Sequence, residues 1–242
     1  MDEISTNMRV YLINLEKDKN RLIASTKQLD AYGISFERFP AVYGKALSKA
    51  ELRRAVNGFR WWCAVGRPCR IGEIGCALSH YGIYRQMVDR PVCVLEDDVL
   101  LDGRFNAVLE HVEKFVDVEK SQVVLLSNHS KTCYYNDGFS IVPARSDMYA
   151  EGYVITPKAA QALLKANFPM QCPCDWWGRW VSRGLVELYH AFPTVCSQDQ
   201  SQYASGTVDP NAFNVKNLSI PRFCLHKLLR LIGKTLDRLL PI

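Results

Sequence analysis

The chain has 242 residues, 48% hydrophobic and 23% charged, with 30 Lys and Arg against 25 Asp and Glu and a formal net charge of +5. This composition excludes a disordered or collagen-like chain and is enough for one large domain with a sizeable core. The charge makes no nucleic-acid-binding surface: residues 1–221 hold 25 basic against 24 acidic residues, and residues 222–242 hold five against one.

The apolar run Arg9 to Leu15 predicts a buried strand. Leu22, Ile23, Leu29 and Tyr32 then fall at helical spacing and Gly33 stops the helix, before a second strand over Ile34 to Val42. This β-α-β opening is the signature of a parallel α/β sheet. Ser48 and Glu51 form a capping box for a helix running to Val56. The segment from Gly58 to Ile71 is turn-rich and aromatic and reads as a loop.

Helix returns from Gly72 to Val88, and Pro91 to Leu95 forms a strand that runs directly into Glu96-Asp97-Asp98. Helix is predicted over Phe105 to Val118, strand over Gln122 to Ser127, and a loop or hairpin over 128–146. A strand from Tyr149 to Thr156 leads into a helix opened by Pro157, where a missing N–H costs nothing. A helix over Asp175 to Arg183 and a strand over Leu185 to Ala191 complete the body.

Three consecutive acids in an apolar frame are costly to bury without a cation or donors, and the carboxyl edge of an open α/β sheet is where ligands bind. Glu96 and Asp98 are expected on one side of the extended chain and Asp97 on the other, a pattern able to hold Mg²⁺ or Mn²⁺. The plain alternative is a solvated acidic turn. Asn14 and Arg21, where the first strand meets the first helix, are placed to read a base or ribose and to reach a diphosphate, or else belong to a capped helix with an exposed arginine. Gly72 and Gly75 allow close backbone approach near a helix N-terminus, with Ser79 and His80 on the same stretch. His80 alone also reads as a satisfied half-buried histidine. Asp175 sits among Trp176, Trp177 and Trp180, whose apolar walls raise a carboxylate toward a useful base and whose faces suit sugars; it is equally a good helix N-cap.

The nine cysteines include no CxxC pair, and the C-x-C of Cys172 and Cys174 does not by itself make a metal site, so free thiols in a reducing cytosol are expected. The first seven residues show no secretory signal pattern. In residues 222–242, leucines fall on one helical face and Lys227, Arg230, Lys234 and Arg238 largely opposite, which reads as an in-plane helix on an anionic membrane, or as a helix docked on the core or a dimer partner.

The segments INLEKDKNRL, RIGEIGCALSH, VLEDDVLL, EGYVITPKAAQALL and CDWW followed by HAFPTVCSQ, in that order over about residues 8–200, resemble glycosyltransferase family 25. The resemblance implies a GT-A-like nucleotide-sugar-binding mixed sheet flanked by helices over 1–221, with the amphipathic helix of 222–242 appended. It implies an inverting transfer from a UDP-sugar, most often UDP-galactose, with Mn²⁺ (or Mg²⁺) as cofactor. UDP-glucose or a UDP-N-acetylhexosamine is the alternative donor, and a catalytically silent carbohydrate-binding relative the alternative role. By the same resemblance Asp98 is the metal ligand, Glu96 and Asp97 hold the cation's water or the ribose, and Asn14, Arg21, Glu73, Ser79 and His80 lie on the nucleotide-sugar side. Asp175 is then the general base. The expected acceptor is a glycolipid or oligosaccharide of lipooligosaccharide type, and the expected location the inner face of the cytoplasmic membrane. Acceptor residues do not carry across the loops at 53–70 and 128–148.

Overall fold

The computed structural model describes residues 8–87, 89–129 and 138–199, together with Leu231 and Thr235. Its elements, in chain order, are β1 (Arg9–Asn14), α1 (Lys19–Ala31), β2 (Glu37–Pro40), a 3-10 turn (Gly44–Ala46), α2 (Lys49–Ala55), α3 (Gly58–Val65), α4 (Ile71–Gln86), β3 (Val92–Glu96) and β4 (Val99–Leu101). There follow α5 (Phe105–Phe115), β5 (Gln122–Leu125), β6 (Ser140–Ala144), β7 (Gly152–Ile155), α6 (Pro157–Asn167), α7 (Trp177–Ser182), β8 (Glu187–Phe192) and β9 (Cys196–Gln198).

Seven strands form one sheet in the order β2-β1-β3-β7-β5-β8-β6. β1 pairs in parallel with both β2 and β3, as the β-α-β opening predicts. The sheet becomes mixed at β7, which runs antiparallel to β3 and β5, and again at β6, antiparallel to β8. Both faces are covered, so the central strands are continuous apolar runs split by the pleat. Tyr11, Ile13, Val92, Val94, Tyr153 and Ile155 pack with α4, α6 and the buried tryptophans of α3 and α7. Val10, Leu12, Cys93, Leu95 and Val154 pack on the other side against Leu29 of α1 and Phe105, Val108, Leu109 and Val112 of α5.

The segment expected to be a loop from Gly58 is instead α3. Asn57 Oδ1 accepts from the Arg60 backbone N–H at 3.1 Å, Trp61 and Cys63 are buried, and Gly66 closes the helix at φ 80°. The expected strand at Ile34 shortens to the four residues that pair with Tyr11–Asn14. The expected loop or hairpin at 128–146 contains β6, whose Pro143 is tolerated because β6 is an edge strand. The Ser48–Glu51 capping box and the Pro157 helix start, with Thr156 as cap, form as predicted.

The close approach at Gly75 brings α4 against protein backbone: a Cβ there would lie 2.5 Å from the carbonyl oxygen of Val42 and 3.0 Å from the nitrogen of Gly44. No helix among the described residues is long and apolar enough to cross a membrane. The expected helix over 222–242 lies outside the described residues except Leu231 and Thr235, both helical, with the Thr235 hydroxyl donating to the Leu231 carbonyl at 3.0 Å.

Candidate active site

The mixed topology places the starts of antiparallel strands beside the ends of parallel ones. Glu96 ends β3, its N–H donates to the carbonyl of Glu151 at 3.0 Å, and Glu151 immediately precedes β7. Asp97 and Asp98 turn the chain out of the main sheet into β4, which pairs antiparallel with β9 in a separate ribbon. One edge therefore gathers Asn14, Glu96, Asp97, Asp98 and Glu151, although 137 positions separate the first from the last.

The three acids have different surroundings. Asp97 is buried and supplied with donors: Asn14 Nδ2 lies 2.6 Å from Oδ2, Arg21 lies 3.2 Å from Oδ1, and Ser25 Oγ donates to its carbonyl at 2.8 Å. Arg38 of β2 donates to Asn14 Oδ1 at 3.0 Å, which fixes the amide with its NH₂ toward Asp97. Burial raises the Asp97 pKa, and Asn14 and Arg21 work against it. Asp98 Oδ2 accepts from Gln198 at 3.2 Å and lies 3.7 Å from Arg21, but its buried Oδ1 has no hydrogen-bond partner among the described residues. Glu96 turns toward α4, where Oε1 lies 3.1 Å from His80 Nε2. Burial raises its pKa; His80 opposes this, and Asp98 and Glu151 add to it.

Glu151 stands out less in the sequence. It is almost fully buried, its Oε1 meets His129 Nε2, and its Oε2 has no hydrogen-bond partner among the described residues. An acid opening a buried strand is the same signal as the acids closing β3, and could have been read that way. Nearby, Oδ2 of buried Asp147 accepts from the His129 backbone N–H at 3.3 Å and lies 3.2 Å from His190 Nε2. Two buried carboxylate oxygens, on Asp98 and Glu151, have no donor among the described residues; such oxygens are stabilised by a cation, and the oxygen-rich donor set suits a hard divalent ion.

His80 is buried between Glu96 and the Tyr153 hydroxyl, which lies 2.7 Å from Nδ1 and 2.7 Å from the hydroxyl of Tyr84. Burial alone lowers its pKa, but Cys76 and Glu96 outweigh that and hold it up to about 10. Ser79 and Glu73 occupy structural positions: Ser79 Oγ donates to the Gly75 carbonyl at 2.7 Å and accepts from the Val42 N–H at 2.8 Å. Glu73 takes both arms of Arg67, at 2.8 and 2.5 Å, and accepts from the Arg70 N–H.

Asp175 precedes α7 but does not cap it. Trp176 is the cap residue, and Asp175 Oδ2 instead accepts from the Tyr149 N–H at 3.2 Å. Burial raises the Asp175 pKa, with the Tyr149 N–H opposing. Tyr149 has the left-handed φ of 77°, an uncommon conformation for a bulky residue, which turns its N–H to the carboxylate and its carbonyl to Trp177 Nε1 at 2.8 Å. Trp177 and Trp180 are core residues, 1% exposed, so their faces are not open to a sugar; Trp176 is half-buried. The segment is tied to the rest of the edge through Cys174, whose Sγ lies within 4.8 Å of Cys76 Sγ and a ring nitrogen of His80.

A helix-flanked mixed sheet with an acidic turn at its carboxyl edge is a GT-A-like arrangement. The sequence profile described as "Glycosyltransferase family 25 (LPS biosynthesis protein)" matches residues 7–145, and the chain belongs to that family. It is 32% identical over 177 residues to a "Glycosyltransferase 25 family member" of Anopheles gambiae, covering 68% of this chain and 29% of the relative. It is 30% identical over 182 residues to the human "Procollagen galactosyltransferase 2", covering 69% and 29%. Against "Procollagen galactosyltransferase 1-B" of Xenopus laevis the identity is 28% over 224 residues, covering 86% and 35%. The chain thus spans about a third of the length of these curated relatives.

Proposed function

We propose that this protein is a glycosyltransferase that moves a hexose, galactose first among the candidates, from a UDP-sugar to a hydroxyl of a saccharide acceptor, with inversion at the anomeric carbon. The observation that carries this reading is the pair of buried carboxylate oxygens on Asp98 and Glu151 that have no donor among the described residues, beside the acidic turn, in a chain of family 25. The names of the galactosyltransferase relatives support the choice of sugar, and the family description supports a lipopolysaccharide-type glycolipid as acceptor.

In this reading Asp98, with Glu151, holds Mn²⁺ or Mg²⁺. When bound, the ion neutralises charge that develops on the leaving diphosphate. Arg21, within 3.7 Å of Asp98, supplies donors for the same phosphates. Asn14 and Asp97 hold Arg21 and the turn in place rather than presenting free groups. Asp175 removes the acceptor proton: its carboxylate is oriented by the Tyr149 N–H at Oδ2, and its raised pKa improves it as a proton acceptor. A base acting on the face opposite the leaving group gives a single displacement and therefore inversion. Residues 222–242 are proposed to bring the enzyme to anionic membrane that carries the acceptor.

The test is turnover of UDP-galactose, UDP-glucose and UDP-N-acetylglucosamine with a panel of glycolipid acceptors, with Mn²⁺ or with EDTA. Manganese-dependent release of UDP with a β-linked product is expected; no turnover of any UDP-sugar overturns the reading. Retention of a variant lacking residues 222–242 on anionic vesicles would overturn the membrane assignment alone.

A further inference from the structure

Beside Glu96 lies a group of side chains for which the transfer reaction has no use. Cys76 and His80 stand one turn apart on the same face of α4, and Cys174 approaches from the segment before α7. The ligand atoms of the three lie within 4.8 Å of one another. Glu96 Oε1 is 3.1 Å from His80 Nε2 and 3.9 Å from Cys76 Sγ, so a fourth donor faces the same point. We propose that Cys76, His80, Cys174 and Glu96 form a binding site for a soft divalent cation of the zinc type, separate from the hard cation at Asp98.

The donor set selects the metal class. Two thiolates and an imidazole favour zinc over manganese or magnesium, whereas Asp98 and Glu151 offer only oxygen. Tetrahedral zinc needs donor separations of about 3.5–3.8 Å, close enough to the present spacing for side-chain rotation to suffice. The histidine is already oriented as a ligand: Tyr153, itself bonded to Tyr84, engages Nδ1 at 2.7 Å and leaves Nε2 facing the cluster. Cys174 is held by a buried anchor. Asn167 donates to the Cys172 carbonyl at 3.0 Å and accepts from the Gln171 N–H at 2.8 Å, which sets the course of the chain into Pro173 and Cys174. On binding, Cys76 and Cys174 lose their thiol protons and His80 loses the proton on Nε2, all to solvent, and the metal takes their place. The bound ion then clamps α4 to Cys174 and fixes the neighbouring Asp175.

The test uses the full chain, reduced and stripped with a chelator, titrated with Co²⁺ under nitrogen. About one equivalent should give thiolate-to-cobalt charge-transfer absorption with intense tetrahedral visible bands, displaced by Zn²⁺ but not by Mn²⁺. Cys76→Ser and Cys174→Ser should each weaken cobalt binding by about 10–100-fold or more, while Asp98→Asn leaves the spectrum intact. Absence of thiolate bands in the wild type, or wild-type cobalt affinity and band intensity in either serine variant, overturns the proposal. Because a serine variant could misfold, the wild type supplies a second readout: Zn²⁺ should protect Cys76 and Cys174 from alkylation, located by peptide mass spectrometry. Equal labelling with and without Zn²⁺ also overturns it. Neither readout depends on transfer activity.

Discussion

The two sides of the acidic turn solve the same electrostatic problem in opposite ways. On the β1–α1 side, Asp97 is matched to Asn14, Arg21 and Ser25, and Arg38 braces Asn14 from behind. On the β7–α7 side, Glu151 and Asp98 each retain a buried oxygen with no donor among the described residues, and Asp175 has one backbone N–H for its Oδ2. A carboxylate whose acceptors are filled by protein donors is scaffold; one with unfilled acceptors is stable only when something else arrives. The two sides therefore differ in what a mutation should remove: stability on the first, chemistry on the second.

The largest effect expected from this contrast is at Asp98. Asp98→Asn should lower transfer by about 10³-fold and weaken Mn²⁺ binding in a titration, because several kcal/mol of charge stabilisation depend on the ion. A variant with ordinary manganese affinity would erase the distinction between the two sides. Next is Asp175→Asn, expected to cost at least about 10²-fold in kcat while UDP and Mn²⁺ still bind; near wild-type transfer removes Asp175 from the base role. The wild-type pH profile sharpens this assignment. A base must be ionised, and burial raises the folded-state pKa of Asp175 above the ordinary aspartate value, so activity should fall with pH through a limb lying above that value. A profile flat down to the ordinary aspartate range contradicts it.

On the scaffold side, Asn14→Ala leaves part of a buried carboxylate unmatched and should cost about 1–3 kcal/mol in a denaturant titration. A larger loss of transfer than the stability change explains would mean that Asn14 touches the nucleotide directly. The smallest effect is expected at Tyr149→Gly. It relieves the left-handed backbone, worth about 1–2 kcal/mol, but loses the ring that lies 4.5 Å from His129, so thermal stability should barely move and the N–H to Asp175 remains. A collapse of transfer in that variant would make the ring a substrate contact.

Several features were legible along the chain because they depend on neighbours in sequence. The capping box at Ser48, the proline start at Pro157 and the β-α-β opening are local, and so is the emergence of three acids from an apolar strand. The loop expected from Gly58 shows the limit: glycine and aromatic residues suggested a turn, yet Asn57 as a cap and the burial of Trp61 and Cys63 favour a helix. The same limit applies at Trp177 and Trp180, where composition suggested an open aromatic wall and packing made a core.

By itself the sequence determined the family, the α/β class and the acidic turn, since these follow from periodicity, turn chemistry and ordered motifs. Tertiary structure alone decided which acid is satisfied. Asp97 and Asp98 are adjacent and chemically alike, but the fold brings Asn14 and Arg21 to both oxygens of one and leaves an oxygen of the other without a donor among the described residues. It also decided that Cys76 and His80 meet Cys174, nearly a hundred positions away. Hydrogen bonds and metal coordination act over a few ångströms in space, and only the folded sheet edge brings these atoms within that range.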